Sequence, residues 1–156
     1  MKMLVKLMKR AWLSGSCASA TSTIAMAASG ATDCRSVFAP TNAVSHWIWK
    51  DRAIHRDEAS LRYTATGYAI HHLASVFWGT LFESLKPTIR ARSSRERAVD
   101  AATVAAVAAV VDLKCTPERL TPGFERRLST PALVAVYVAF GLGLYLCSRD
   151  DVDRDQ

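Results

Sequence analysis

Residues 63–82 run for twenty positions without a Lys, Arg, Asp or Glu, yet hold His71 and His72 at their centre and are followed by Glu83. At about 1.5 Å of rise per residue, such a run matches the roughly 30 Å hydrocarbon core of a bilayer. A transmembrane helix over 63–83 is the direct reading, and it sets terms for the rest of the chain. Three further stretches fit the same pattern. Residues 11–32 and 128–148 are uncharged throughout, and residues 98–113 carry only Asp100 and Asp112, each near an end. Half of the residues are hydrophobic and 22% are charged, but the two classes are segregated along the chain. That segregation predicts an all-α polytopic membrane protein, a four-transmembrane-helix bundle forming a single integral domain over 1–156, with spans at 11–32, 63–83, 94–114 and 131–148.

The net charge of +6 raises the question of nucleic acid. The cations, however, sit in short clusters beside apolar runs, where they orient a membrane protein, so no nucleic-acid partner is expected. Five of them fall within Lys86, Arg90, Arg92, Arg95 and Arg97, whereas the loop 33–62 spreads five over thirty residues. The denser cluster belongs inside, giving N-in/C-in topology in a bacterial inner membrane.

The first span follows a basic opening of Lys2, Lys6, Lys9 and Arg10. A cleavable signal peptide is one reading, with Ala25-Met-Ala27 near its end; the length and the Ser/Thr content favour a retained helix. Gly15, Ser19 and Thr23 recur every four residues, as do Ser14, Ala18 and Ser22. Two small faces of this kind let helix backbones approach closely in lipid, either within a bundle or in a homo-oligomer or complex with other membrane proteins. Farther on, Ser45, His46, Trp47, Trp49 and Asp51 form an interfacial motif after Pro40, either a short interfacial helix or re-entrant turn or an ordinary aromatic-belt anchor, because tryptophan favours the headgroup level. Ser93 and Glu96 have capping-box spacing, and Thr130-Pro131 reads as a helix cap with proline in the first turn. The tail 149–156 alternates Asp with Arg and reads as disordered.

At 100° per residue, Tyr68, His72, Ser75, Gly79 and Glu83 share one face of the second span, with His71 beside it. Ionisable residues at such depth are costly and face the bundle interior by default. His71, His72, Ser75, Glu83 and Asp112 are therefore the candidate intramembrane polar site, with Asp112 placed to meet a histidine across the second and third spans. A structural hydrogen bond between helices is the first reading of that pair, and a proton relay the second. Haem would want histidines on two facing helices, and only the second span has them; zinc lacks converging ligands. No metal or cofactor is expected. No nucleophile elbow, phosphate loop or HExxH motif is present. Cys34 and Cys115 fall together at the outer edge and form the candidate disulfide, with separate free thiols the alternative, while Cys17 and Cys147 lie toward the inner side.

Three strings, Asn42-Ala-Val-Ser-His-Trp-Ile-Trp-Lys-Asp51, Gly67-Tyr-Ala-Ile-His-His72 with Phe77-Trp78, and Val111-Asp112 with Arg119-Leu-Thr-Pro-Gly-Phe-Glu125, resemble an uncharacterised family of small four-span bacterial inner-membrane proteins. Lys50 stands where that pattern leads one to expect glycine. The resemblance implies a retained first helix and an inner-membrane location, and it implies no activity. The expected role is a non-enzymatic structural or accessory component in contact with the lipid bilayer. A small transporter or proton-linked channel using the His/Asp stripe is the first alternative, and a membrane-embedded enzyme the second.

Overall fold

A computed structural model describes residues 1–85 and 92–148. The expectations for Lys86, Arg90 and the tail 149–156 lie outside the described residues. The described chain is all-helical. Four long helices, α1 (Lys2–Asp33), α5 (Thr66–Ser84), α6 (Ser94–Val110) and α7 (Thr130–Cys147), carry the architecture. Between α1 and α5 lie three short helices, α2 (Ala39–Val44), α3 (His46–Trp49) and α4 (Asp51–Ile54), then a π-helical turn, Leu61–Ala65, leading into α5. A second π turn, Val111–Cys115, extends α6, and two 3-10 turns, Glu118–Leu120 and Phe124–Arg126, precede α7.

Local chemistry sets most of these boundaries. Ser93 Oγ accepts the Glu96 N–H at 3.2 Å while Glu96 Oε2 accepts the Ser93 N–H at 2.8 Å, the capping box expected of that spacing. The cap of α7 is Ser129 rather than Thr130. Its N–H donates to Asp33 Oδ2 at 2.8 Å, so the end of α1 supplies the carboxylate that anchors the start of α7. This hydrogen bond holds the Asp33 carboxyl below its ordinary range.

Tertiary packing follows from the small residues of α1. A Cβ on Gly15 would stand 2.6 Å from Val76 Cα, and one on Gly79 2.9 Å from Gly15 Cα, so α1 and α5 touch through backbone. On the other flank, a Cβ on Gly143 would stand 2.5 Å from Ala18 Cα, and Thr21 Oγ1 donates to the Ala139 carbonyl at 2.7 Å. The small residues of α1 are therefore met within the chain by α5 and α7, Gly15 and Ser22 by α5 and Ala18 by α7. Paired positions fall in sequence along one helix as they rise along the other, which makes both neighbours antiparallel to α1. The helices α6 and α7 pair the same way, with Gly141 against Ala105. Spatial order is thus α5, α1, α7, α6, and the two outer members meet each other far less than they meet their neighbours. A core of Trp78, Phe82, Val104, Phe140 and Leu144 fills the junction of α5, α6 and α7.

The register of α1 and α7 decides the disulfide. Cys17 and Cys147 are bonded, with Cα atoms 6.2 Å apart, whereas Cys34 and Cys115 are free. The expected Cys34–Cys115 bridge is thus corrected: Cys34 Sγ donates to the Arg127 carbonyl at 3.2 Å, and Cys115 is exposed at the end of its π turn. Among the described residues, one helix, Thr130–Cys147, is long and apolar enough to cross a membrane by length and composition.

Candidate functional site

The gap between α5 and α6 is a cleft of about 570 Å³, roofed by residues of the connections that precede α5 and α7. His71, Ser75 and Asp112 of the expected polar site all line it, and Trp47 reaches it from the interfacial motif. Two members lie elsewhere. His72 packs its ring edge-on against Trp12, centroids 5.2 Å apart, and stacks on Tyr68 at 5.9 Å. Glu83 is buried at the far end of α5, 3.7 Å from Arg92, which also meets Asp100 at 3.2 Å and covers the Phe82 ring at 4.7 Å. It sits in a buried ion cluster rather than reaching out to water, because Arg92 provides the paired charge that makes burial tolerable.

Asp112 does not meet a histidine. Tyr137 donates its hydroxyl to Asp112 Oδ2 at 3.2 Å. His71 instead bonds across to α1, its Nε2 lying 2.8 Å from Ser22 Oγ. The proton on that bond can be assigned. Ser22 donates to the Ala18 carbonyl at 2.6 Å, so its oxygen accepts, Nε2 carries hydrogen, and Nδ1 is left as an acceptor. The other hydroxyls on the wall are committed in the same way: Ser75 donates to the His71 carbonyl at 2.8 Å and Thr116 to the Val111 carbonyl at 2.8 Å. Trp47 donates its indole N–H to the Thr121 carbonyl at 2.8 Å. The hydroxyls of Ser22, Ser75, Thr116 and Tyr137 and the Trp47 N–H are thus used internally, and the cleft wall is mostly aromatic and aliphatic surface.

The rest of the interfacial motif is structural. Ser45 donates to the Asn42 carbonyl at 2.7 Å and His46 Nδ1 lies 2.9 Å from the Ala43 carbonyl, which ties both to the local turn, while His46 Nε2 is buried without a hydrogen-bond partner. Asp51 is exposed, 3.8 Å from Arg126. Trp49 lies under the Arg62 guanidinium at 4.1 Å and donates to the Arg62 carbonyl at 3.0 Å. Lys50 adopts φ 53° and ψ −150°, a conformation that favours glycine. The residue departs from the resembled pattern at a place where the backbone itself calls for glycine.

Some positions that shape the site are not conspicuous in sequence. Asn42 is fully buried; its Nδ2 donates to the carbonyls of Arg56 (2.9 Å) and Glu58 (3.0 Å), and its Oδ1 accepts from Thr64 at 2.7 Å. Gly123, at φ 90°, lets Phe124 enter the cleft against His71 and Tyr137. A Cβ at Gly123 would stand 2.5 Å from the Ala43 carbonyl oxygen. Tyr137 carried one usable clue, a polar head shared only with Tyr145 in the otherwise apolar run 131–146. The three strings singled out above all contribute to this one cleft: Val44 and Trp47, then His71 and Trp78, then Asp112 and Phe124. Among the described residues no cluster of three or more His, Cys, Asp or Glu could hold a metal ion. No protein-family model, no curated protein and no solved structure matches this chain.

Proposed function

We propose that the protein is a four-span inner-membrane protein of N-in/C-in topology, acting as a non-enzymatic accessory component. The carrying observation is the distribution of surface. Large apolar side chains stand exposed on the outward faces of all four long helices, among them Trp12, Ile24, Phe77, Val107, Val138 and Leu146. Small polar residues, Ser14, Ser19, Ser22 and Ser75, are buried between the helices. A bundle in water inverts this arrangement, whereas lipid accepts apolar side chains outside and small or hydrogen-bonded polar residues inside. The resemblance to small four-span bacterial proteins agrees with this reading. Against a relay or a catalytic site, His71 is committed to Ser22, His72 to aromatic neighbours and Asp112 to Tyr137, so no chain of hydrogen bonds joins them.

Topology is tested by labelling cells with a membrane-impermeant maleimide, using a protein that keeps its disulfide but carries Cys34→Ser and Cys115→Ser. Glu58→Cys and Glu118→Cys should label from outside. Ser84→Cys and Ser94→Cys should label only after permeabilisation. Labelling of Ser94→Cys in intact cells overturns the four-span reading.

A further inference from the structure

The cleft is drug-sized, apolar over most of its wall, and supplied with few polar atoms. Sites that bind small molecules combine such walls with a few placed polar groups, and those groups define the ligand. Here they are the Asp112 carboxyl and the Nδ1 of His71, both acceptors, while the wall hydroxyls of Ser22, Ser75, Thr116 and Tyr137 are spent on internal bonds. Among the described residues no Lys or Arg pairs with Asp112. Glu125 is close enough to add a second negative field, and its Oε2 is buried without a hydrogen-bond partner. Lys114 is the nearest cation in sequence, and it is exposed. The aromatic walls, Trp47, Phe77, Trp78, Phe124, Tyr137 and Phe140, present ring faces that attract positive charge. Phe77 and Leu73 at the edge of the cleft are 65% and 62% exposed. In the membrane reading on which this inference rests, that edge faces lipid.

We propose that this cleft binds a lipophilic ammonium cation, entering sideways from the bilayer, with its N–H groups on Asp112 and His71 Nδ1 and its apolar body among the aromatic rings. An anion would meet the Asp112 carboxylate with no cationic side chain on the wall to offset it. A neutral alcohol could make one of the hydrogen bonds but would leave the carboxylate without a counter-charge.

The test uses the full-length protein in dodecyl maltoside and isothermal titration with three probes of one shape: 2-naphthylmethylammonium, 2-naphthylmethanol and 2-naphthoate. The ammonium should bind saturably at one site, at least about tenfold more tightly than the alcohol, and the carboxylate should not bind. Asp112→Asn should remove that preference and leave the alcohol unchanged. Thr116→Lys, at the outer rim, should do the same by placing a tethered ammonium beside Asp112, and it serves where Asp112→Asn does not fold. Equal affinity for ammonium and alcohol, an undiminished ammonium preference in either variant, or no saturable binding overturns the proposal. The labelling experiment is read separately. Loss of ammonium binding with four-span labelling removes this proposal alone, and labelling that breaks the topology removes the lateral route together with the membrane reading.

Discussion

Replacing Lys50 with glycine should stabilise the protein. The residue joins α3 to α4 at φ 53° and ψ −150°, where an L side chain crowds its own backbone. Holding a non-glycine residue in such a region costs on the order of 1–3 kcal/mol. Glycine relieves that strain but gains freedom in the unfolded chain, an opposing effect of roughly 0.5–1 kcal/mol. The described hydrogen bonds of Lys50 are backbone bonds, its N–H to the His46 carbonyl at 2.8 Å and its carbonyl from the Ala53 N–H at 3.1 Å, and both survive the substitution. Its side chain is exposed. The net gain is therefore about 1 kcal/mol, or roughly 2–4 °C in thermal midpoint for a chain of this size. Circular dichroism melts in detergent of wild type, Lys50→Gly and Lys50→Ala separate strain from side-chain loss. Alanine keeps the Cβ and should melt with the wild type, while glycine should melt higher. A glycine variant no more stable than the alanine variant would refute the assignment of strain to this residue.

Three further outcomes are expected. Asn42→Ala removes three hydrogen bonds from a buried position and should cost about 2–4 kcal/mol in melts; a loss under about 1 kcal/mol would show that the loop does not depend on them. The folded-state pKa of Asp33 lies below its unfolded value, so its contribution to stability is full above about pH 4 and is lost as pH falls through the folded value. Asp33→Asn should accordingly flatten the acid side of the stability curve, and an unchanged acid arm would remove the Ser129 link. Thiol titration of the unreduced, denatured protein should find two free cysteines, and peptide mapping should join Cys17 to Cys147. A map in which Cys17 and Cys147 are not joined would overturn the register assigned to α1 and α7.

Helices were legible wherever their cause was local. Uncharged runs of helix-forming residues, the Ser93/Glu96 box and the turn-rich connections mark α5, α6 and α7 to within a few residues, because caps and helical hydrogen bonds reach no farther than one turn; α1 starts at Lys2, nine residues before the uncharged run, because its basic first turns are helical too. The small faces of α1 were legible too, since a four-residue repeat is a property of one helix. Their partners were not. Whether Ser22 meets His71, or Cys17 meets Cys147, depends on which helix settles against which face and at what height, and the chain fixes that through backbone contacts such as Gly15 against Val76. The polar stripe shows the same division. Helical periodicity placed Ser75 on an inward face, but it grouped His72 and Glu83 with it, although one faces Trp12 and the other is claimed by Arg92. Composition and periodicity by themselves determined an all-helical chain with ionisable groups among apolar residues. Tertiary structure decided that Asp112, His71 and the aromatic residues of three separate strings share one cleft, because α1 and α7 pack tightly through small residues and leave the α5–α6 side open.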